Sequence, residues 1–141
     1  MNKIFIDASY AIALSSVTDR YHHKAVVLSE QIESTATALT TTRAVILEIC
    51  NALARLHYRA AAIELLDSLE QDPNVEIIPL SEELYDRAME LYRQRPDKEW
   101  GITDCISFVV MKNHGLTKAL TTDEHFKQAG LRAMLIELDA K

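Results

Sequence analysis

Lys3-Ile4-Phe5-Ile6-Asp7 carries three apolar residues in succession, Ile4 to Ile6, and closes on an acid. A strand with one wet face alternates apolar and polar residues. A strand apolar at every position is the pattern of a central parallel strand buried on both faces, and that requires helices above and below it. Ala8 to Ser15 reads as the first of these helices.

Working outward, Ala25, Leu28 and Ile32 fall at helical spacing and predict a helix over His22 to Ser34. Ala38-Leu39-Thr40-Thr41-Thr42 reads as a second, short strand. A longer helix begins near Thr42, with Ile46, Ile49, Leu53 and Leu56 as its buried stripe, and another runs from about Ala60 to Leu69. Asp72-Pro73-Asn74 is a turn.

Val75 to Leu80 predicts a third strand, and Ser81-Glu82-Glu83-Leu84 opens a helix that stops before Pro96. The helix expected over Thr103 to Asn113 is apolar nearly all round, through Cys105, Ile106, Phe108, Val109, Val110 and Met111, so it should be buried. His114-Gly115 ends it. Lys118 to Thr122 predicts a fourth strand, Glu124 to Ala129 a short helix ended by Gly130, and Ala133 to Leu138 a last strand. Strands alternating with helices mark a three-layer α/β/α sandwich around a central parallel sheet of four to five strands. With no linker, repeat or low-complexity stretch, residues 1–141 are expected to form a single domain.

A chain of 141 residues can bury roughly two-thirds of its extended surface without a disulfide or structural metal. Cys50 and Cys105 lie in apolar stretches without the spacing of a zinc or redox motif, and are expected to be free core thiols in a reducing compartment. The N-terminal apolar run is too short for a signal-peptide core or a membrane span, so a cytoplasmic protein with no membrane partner is expected. Fifteen basic against 21 acidic residues, a formal charge of −6, argue against sequence-independent attachment to nucleic acid. That objection weakens if carboxylates gather around divalent cations, since each cation cancels two charges where a phosphate would bind.

Ligands of open α/β sheets bind beyond the carboxyl ends of the strands. Asp7 and Asp123 both stand there, each at a position where it could instead cap the following helix. Asp104 lies in the first turn of the buried helix. Because an unpaired carboxylate is costly to desolvate, it either lies at an exposed mouth as part of a cap with Thr103 or has a cationic partner. Glu48 lies off the apolar stripe, flanked by Ala44 and Ala52, where another element could approach closely; taken alone, it reads first as an ordinary exposed helix glutamate. Four gathered carboxylates would repel one another without a cation, and hard divalent ions favour oxygen ligands.

The segments IFIDASYAIAL (4–14), DRYHHKA (19–25), ILEICNAL (46–53), GITDCISFVVM (101–111) and ALTTDEHFKQAG (119–130) resemble, in order, the successive motifs of PIN-domain nucleases, particularly VapC-type toxins of toxin–antitoxin pairs. The resemblance implies that Asp7, Glu48, Asp104 and Asp123 are the catalytic, metal-holding acids, supported by Ser9, Thr103 and Thr122. It also implies Mg²⁺ or Mn²⁺ as cofactor, an RNA substrate, a homodimer and a small antitoxin partner. His22 and His23 match a structural segment of the family. His57, His114 and His125 have no spacing that pairs them, so a histidine-based mechanism is not expected.

Arg43, Arg55, Arg59, Lys112 and Lys118 could contact phosphates, although each also reads as a solvated surface charge. Two other Mg²⁺-dependent classes place acids at strand ends. A haloacid-dehalogenase-like phosphatase needs a second Asp where Ser9 stands, and a phosphoaspartate receiver needs an Asp at the end of the third strand, where Pro79-Leu80 stand. A non-catalytic adaptor of the same fold has no use for four intact acids.

Overall fold

The computed structural model describes residues 3–138. Five strands, β1 (Lys3–Ile6), β2 (Ala38–Thr42), β3 (Val75–Ile78), β4 (Lys118–Leu120) and β5 (Arg132–Ala133), form one sheet in the order β3-β2-β1-β4-β5. Every pairing is parallel. The chain winds outward from β1 to β3, returns across the sheet and winds the other way through β4 and β5. The reversal therefore falls between β1 and β4, where a ligand crevice is expected in an open α/β sheet.

Side chains of a strand alternate between faces, and β1 divides accordingly. Ile4 and Ile6 pack with Leu39, Leu120, Tyr10, Ala13 and Ala25, beneath α1 (Ala8–Ser15) and α2 (His22–Thr35). Phe5 and Ala119 face the opposite core. That core is closed by α3 (Arg43–Ala52), α5 (Glu82–Gln94) and α6 (Ile102–Asn113), with α4 (Leu56–Gln71) contributing Ala62. The three-layer architecture and its five-stranded parallel sheet match the expectation from sequence.

A line of aromatic rings fixes the relative positions of the elements that carry the acids. Phe5 of β1 lies 6.4 Å from Phe126 of α7 (Glu124–Gln128), whose ring meets Phe108 of α6 edge-on at 5.0 Å; Phe108 in turn meets Trp100 at 5.0 Å. Edge-on pairs of this kind add about 0.5–1.5 kcal/mol each beyond the area they bury. Phe5, Phe126 and Phe108 stand two, three and four residues from Asp7, Asp123 and Asp104, so this packing sets the spacing of the acids above it.

Several expected boundaries shift. Leu56 does not continue the α3 stripe: Leu53 ends that helix and is buried, whereas Leu56 begins α4 and is 93% exposed. The expected Ala60–Leu69 helix starts a full turn earlier, at Leu56. The third strand stops at Ile78 and the fourth at Leu120, before their expected ends. The last strand is only Arg132–Ala133, followed by a 3₁₀ turn over Met134–Ile136 that buries Leu135. An apolar run short of strand partners can fill the core equally well as a helical turn. Cys105 is buried and free as expected, but Cys50 is exposed on the outer side of α3. No described helix is long and apolar enough to cross a membrane.

Candidate active site

Asp7 is the most enclosed of the four acids, at 4% exposure. Its position begins α1, yet its side chain forms no cap hydrogen bond. Its Oδ2 instead accepts from the hydroxyls of Thr121 at 2.7 Å and Ser9 at 2.9 Å. These hydroxyls are oriented in turn, because Ser9 Oγ accepts from the Thr122 backbone N–H at 2.9 Å and Thr121 Oγ1 from that of Asp123 at 3.0 Å. Parallel pairing of Ile6 with Leu120 brings the two strand ends together, and the Asp7 amide continues the ladder to the Leu120 carbonyl. The sequence motif points to Thr122 as a supporting side chain; in the structure Thr121 supplies the hydroxyl and Thr122 only its backbone N–H.

Asp104 sits in the first turn of α6, where its Oδ2 accepts the Gly101 backbone N–H at 3.2 Å, half of a capping box. The same oxygen meets Nδ1 of His125 at 3.0 Å. Asp104 thus takes part in a helix cap, through Gly101 and not Thr103, and has an imidazole as its side-chain partner. Asp123 is the N-cap of α7, accepting the His125 amide on Oδ1 at 2.8 Å, with His125 Nδ1 at 3.3 Å from that oxygen. Ligand atoms of Asp104, Asp123 and His125 lie within 4.8 Å of one another, a group that could hold a metal ion. His125, read from sequence as an unpaired histidine, belongs to this group.

Glu48 reaches the same place from α3. Asp7, Glu48, Asp104 and Asp123, with Ser9, Ile12, Gly101, Ile102, Thr103 and His125, line one open cleft of about 320 Å³. More of Glu48 is open to solvent than of the three aspartates, but its carboxyl is pushed up to about 7. Partial withdrawal from water is the main cause, followed by the negative charges of Asp7, Asp104 and Asp123, against a smaller opposing hydrogen bond from Thr103. Burial likewise raises Asp7 and Asp104, against the hydrogen bonds that favour their ionised forms. Each of these two is also raised by neighbouring acids.

No lysine or arginine is among the described residues lining the cleft. Arg43 pairs with Glu70 at 3.3 Å and Arg59 binds the Ala54 carbonyl, both on the surface. A concentration of carboxylates without a basic counterweight, at the switch point of a parallel sheet, has the oxygen-rich donor chemistry of a divalent cation site. The residues present therefore fit such a cation.

The fold is that of a parallel α/β protein with carboxylates gathered in a cleft at the β1/β4 junction. The chain matches the PIN domain along residues 4–131, nearly its whole length, and belongs to the PIN domain family. No curated protein sequence matches it. Among solved structures it is similar to VapC20 of Mycobacterium tuberculosis, described as a sarcin-ricin loop cleaving toxin. The two are 24% identical with a TM-score of 0.78, over 92% of this chain and 97% of that one. It is also similar to FitAcB from Neisseria gonorrhoeae, at 21% identity and a TM-score of 0.62, over 92% of this chain and 94% of that one.

Proposed function

We propose that this PIN-domain protein is a divalent-cation-dependent endoribonuclease and the toxin of a toxin–antitoxin pair, with Asp7, Glu48, Asp104 and Asp123 as its cation-holding and catalytic acids. The observation that carries this reading is the convergence of four carboxylates, from four separate elements, on one cleft lined, among the described residues, by no basic residue except His125. A bound Mg²⁺ or Mn²⁺ would activate water and neutralise charge on a phosphodiester. The chain's own groups supply the rest. Ser9 and Thr121 hold Asp7 in one orientation, and Gly101 and His125 hold Asp104. Glu48 would serve as a further cation-holding acid or accept a hydrogen bond from an attacking water; its raised value of about 7 belongs to the cation-free cleft.

Hydrolysis of this kind leaves a 5′-phosphate and a 3′-hydroxyl and does not need the ribose 2′-OH. The RNA preference is therefore supported by the family resemblance and by the likeness to VapC20, a sarcin-ricin loop cleaving toxin by its description. The same resemblance supports a homodimer, a small antitoxin bearing basic residues that complement this acidic chain, and a cytoplasmic location. A receiver domain is disfavoured by topology, because its sheet runs 2-1-3-4-5 whereas this one runs 3-2-1-4-5. A phosphatase of the aspartate type is disfavoured by Ser9, whose hydroxyl serves Asp7 where a second acid would be needed.

The test is cleavage of structured RNA by purified protein with Mg²⁺ or Mn²⁺, with chelator, and with Asp7→Asn or Asp104→Asn. Cleavage should require the cation and be abolished by either substitution. Cation-dependent cleavage that survived both would overturn the site assignment.

A further inference from the structure

His125 is the one cleft residue whose ring touches two of the proposed cation-holding acids. Nδ1 lies 3.0 Å from Asp104 Oδ2 and 3.3 Å from Asp123 Oδ1, so one ring nitrogen bridges carboxylates carried by α6 and α7. A lone pair facing two carboxylate oxygens would be repelled by both; Nδ1 therefore carries its proton and donates. The ring is held from both ends of its residue. Its own backbone N–H binds Asp123 Oδ1 at 2.8 Å, and the next residue, Phe126, is wholly buried against Phe5 and Phe108.

The consequence for the acids is geometric. Asp104 uses Oδ2 for both the Gly101 amide and the imidazole, whereas Asp123 uses Oδ1 for the His125 backbone N–H, with His125 Nδ1 3.3 Å from the same oxygen. In each carboxylate one oxygen is committed to protein donors, and among the described residues no hydrogen bond engages the other. Two like-charged groups on separate helices would otherwise be free to swing apart.

We propose that His125 is a positioning residue of this cleft, whose Nδ1–H clamps Asp104 to Asp123 and so fixes the spacing at which the pair takes up a divalent cation. The inference rests on the nuclease reading in that it needs the cleft to bind such a cation. Groups that orient metal-holding side chains typically cost about 10- to 100-fold in metal affinity when removed. With Nδ1–H directed at the two acids, that nitrogen is not free to ligate the cation, so the imidazole acts through the acids.

The experiment is a calorimetric titration of Mn²⁺ into wild type, His125→Ala, His125→Asn and Asp7→Asn, with the cation-free melting temperature of each and the Mn²⁺ electron paramagnetic resonance spectrum of the bound state. His125→Ala should bind Mn²⁺ about 10- to 100-fold more weakly. His125→Asn, whose Nδ2–H lies close to where Nδ1–H stood, should recover most of the loss, and this rescue decides the matter even if the alanine protein proves unstable. Equal binding by wild type and His125→Ala, or an asparagine variant as weak as the alanine one, overturns the clamp. If only the clamp is wrong, Asp7→Asn still abolishes a binding that His125→Ala retains. A wild-type protein that binds no Mn²⁺ overturns the nuclease reading and the clamp together.

Discussion

Thr121 and Asp7, 114 residues apart in the chain, meet through a buried 2.7 Å hydrogen bond from hydroxyl to carboxylate. At 4% exposure burial raises the Asp7 carboxyl, and such donors favour its ionised form against that cost. The contact joins the end of β4 to the end of β1 and ties the Asp123 backbone to the same hydroxyl.

Thr121→Val keeps the shape of the side chain and removes the donor. The buried carboxylate then lacks a partner, so unfolding free energy should fall by about 1–3 kcal/mol at pH 8, measured by urea denaturation in chelator. The loss should shrink when the measurement is repeated at a lower pH, since protonation of this raised carboxyl relieves the buried charge, and Thr121→Ser should retain most of the stability. An equal loss at both pH values would show that packing, and not the hydroxyl, holds Asp7.

Asp7→Asn removes a buried charge whose pKa is raised, while its amide oxygen can still accept from Ser9 and Thr121. Cation-free protein carrying this substitution should melt at the same temperature as wild type or higher at pH 7.5. The rise in melting temperature expected of wild type on adding Mn²⁺ should be absent. A marked fall in the cation-free melting temperature would mean that the ionised carboxylate stabilises the fold.

The raised carboxyls set the direction of a pH effect. An acid whose folded pKa lies above its unfolded value binds more protons folded than unfolded between the two, so its stabilising contribution is lost as pH rises through that window. For Glu48 the window runs from 4.5 to about 7, and Asp7 and Asp104 act in the same direction. Melting temperature in chelator should therefore decline between about pH 5 and 7.5, less steeply for Glu48→Gln, with Mn²⁺ restoring stability at the upper end. Asp97 and Glu137, both lowered by arginine partners, act oppositely, but their contributions are lost only at more acidic pH. A melting temperature that climbs across this window would contradict the crowding of the acids.

Ala36 ends α2 in the left-handed region, at φ 49°. An L residue there bears a steric cost that glycine escapes, offset in part by glycine's greater freedom when unfolded. Ala36→Gly should raise unfolding free energy by up to about 1 kcal/mol. Gly115→Ala, at φ +66°, should lower it by about 1 kcal/mol. Both are readable by denaturant titration, and the reverse signs would contradict the backbone conformation.

Much of the fold was legible because strand and helix patterns are local. Unbroken apolar runs marked the buried strands, and Gly115 and Gly130 marked two helix ends. The misreadings came where local pattern has two uses. Leu56 and Cys50 look like core residues in a window of sequence, but α3 ends at Ala52 and turns one outward while the other lies on its exposed side. Met134–Ile136 is apolar enough for a strand and instead closes the core as a 3₁₀ turn.

The site divides the same way. A signal for His125 existed: it stands two residues after Asp123, on the first turn of a helix whose cap is an acid. Spacing between histidines was the wrong measure, because its second partner, Asp104, lies 21 residues away.

From the order of its residues this protein acquires parallel strands covered by helices, and acids placed at strand ends and helix starts, since apolar periodicity and helix-terminus chemistry act over a few neighbouring residues. Which oxygen meets which donor was settled only when β1 and β4 came to lie side by side and Phe5, Phe126 and Phe108 stacked beneath the cleft. Hydrogen bonds act over about 3 Å, and only the packed chain brings residues so far apart in sequence to that distance.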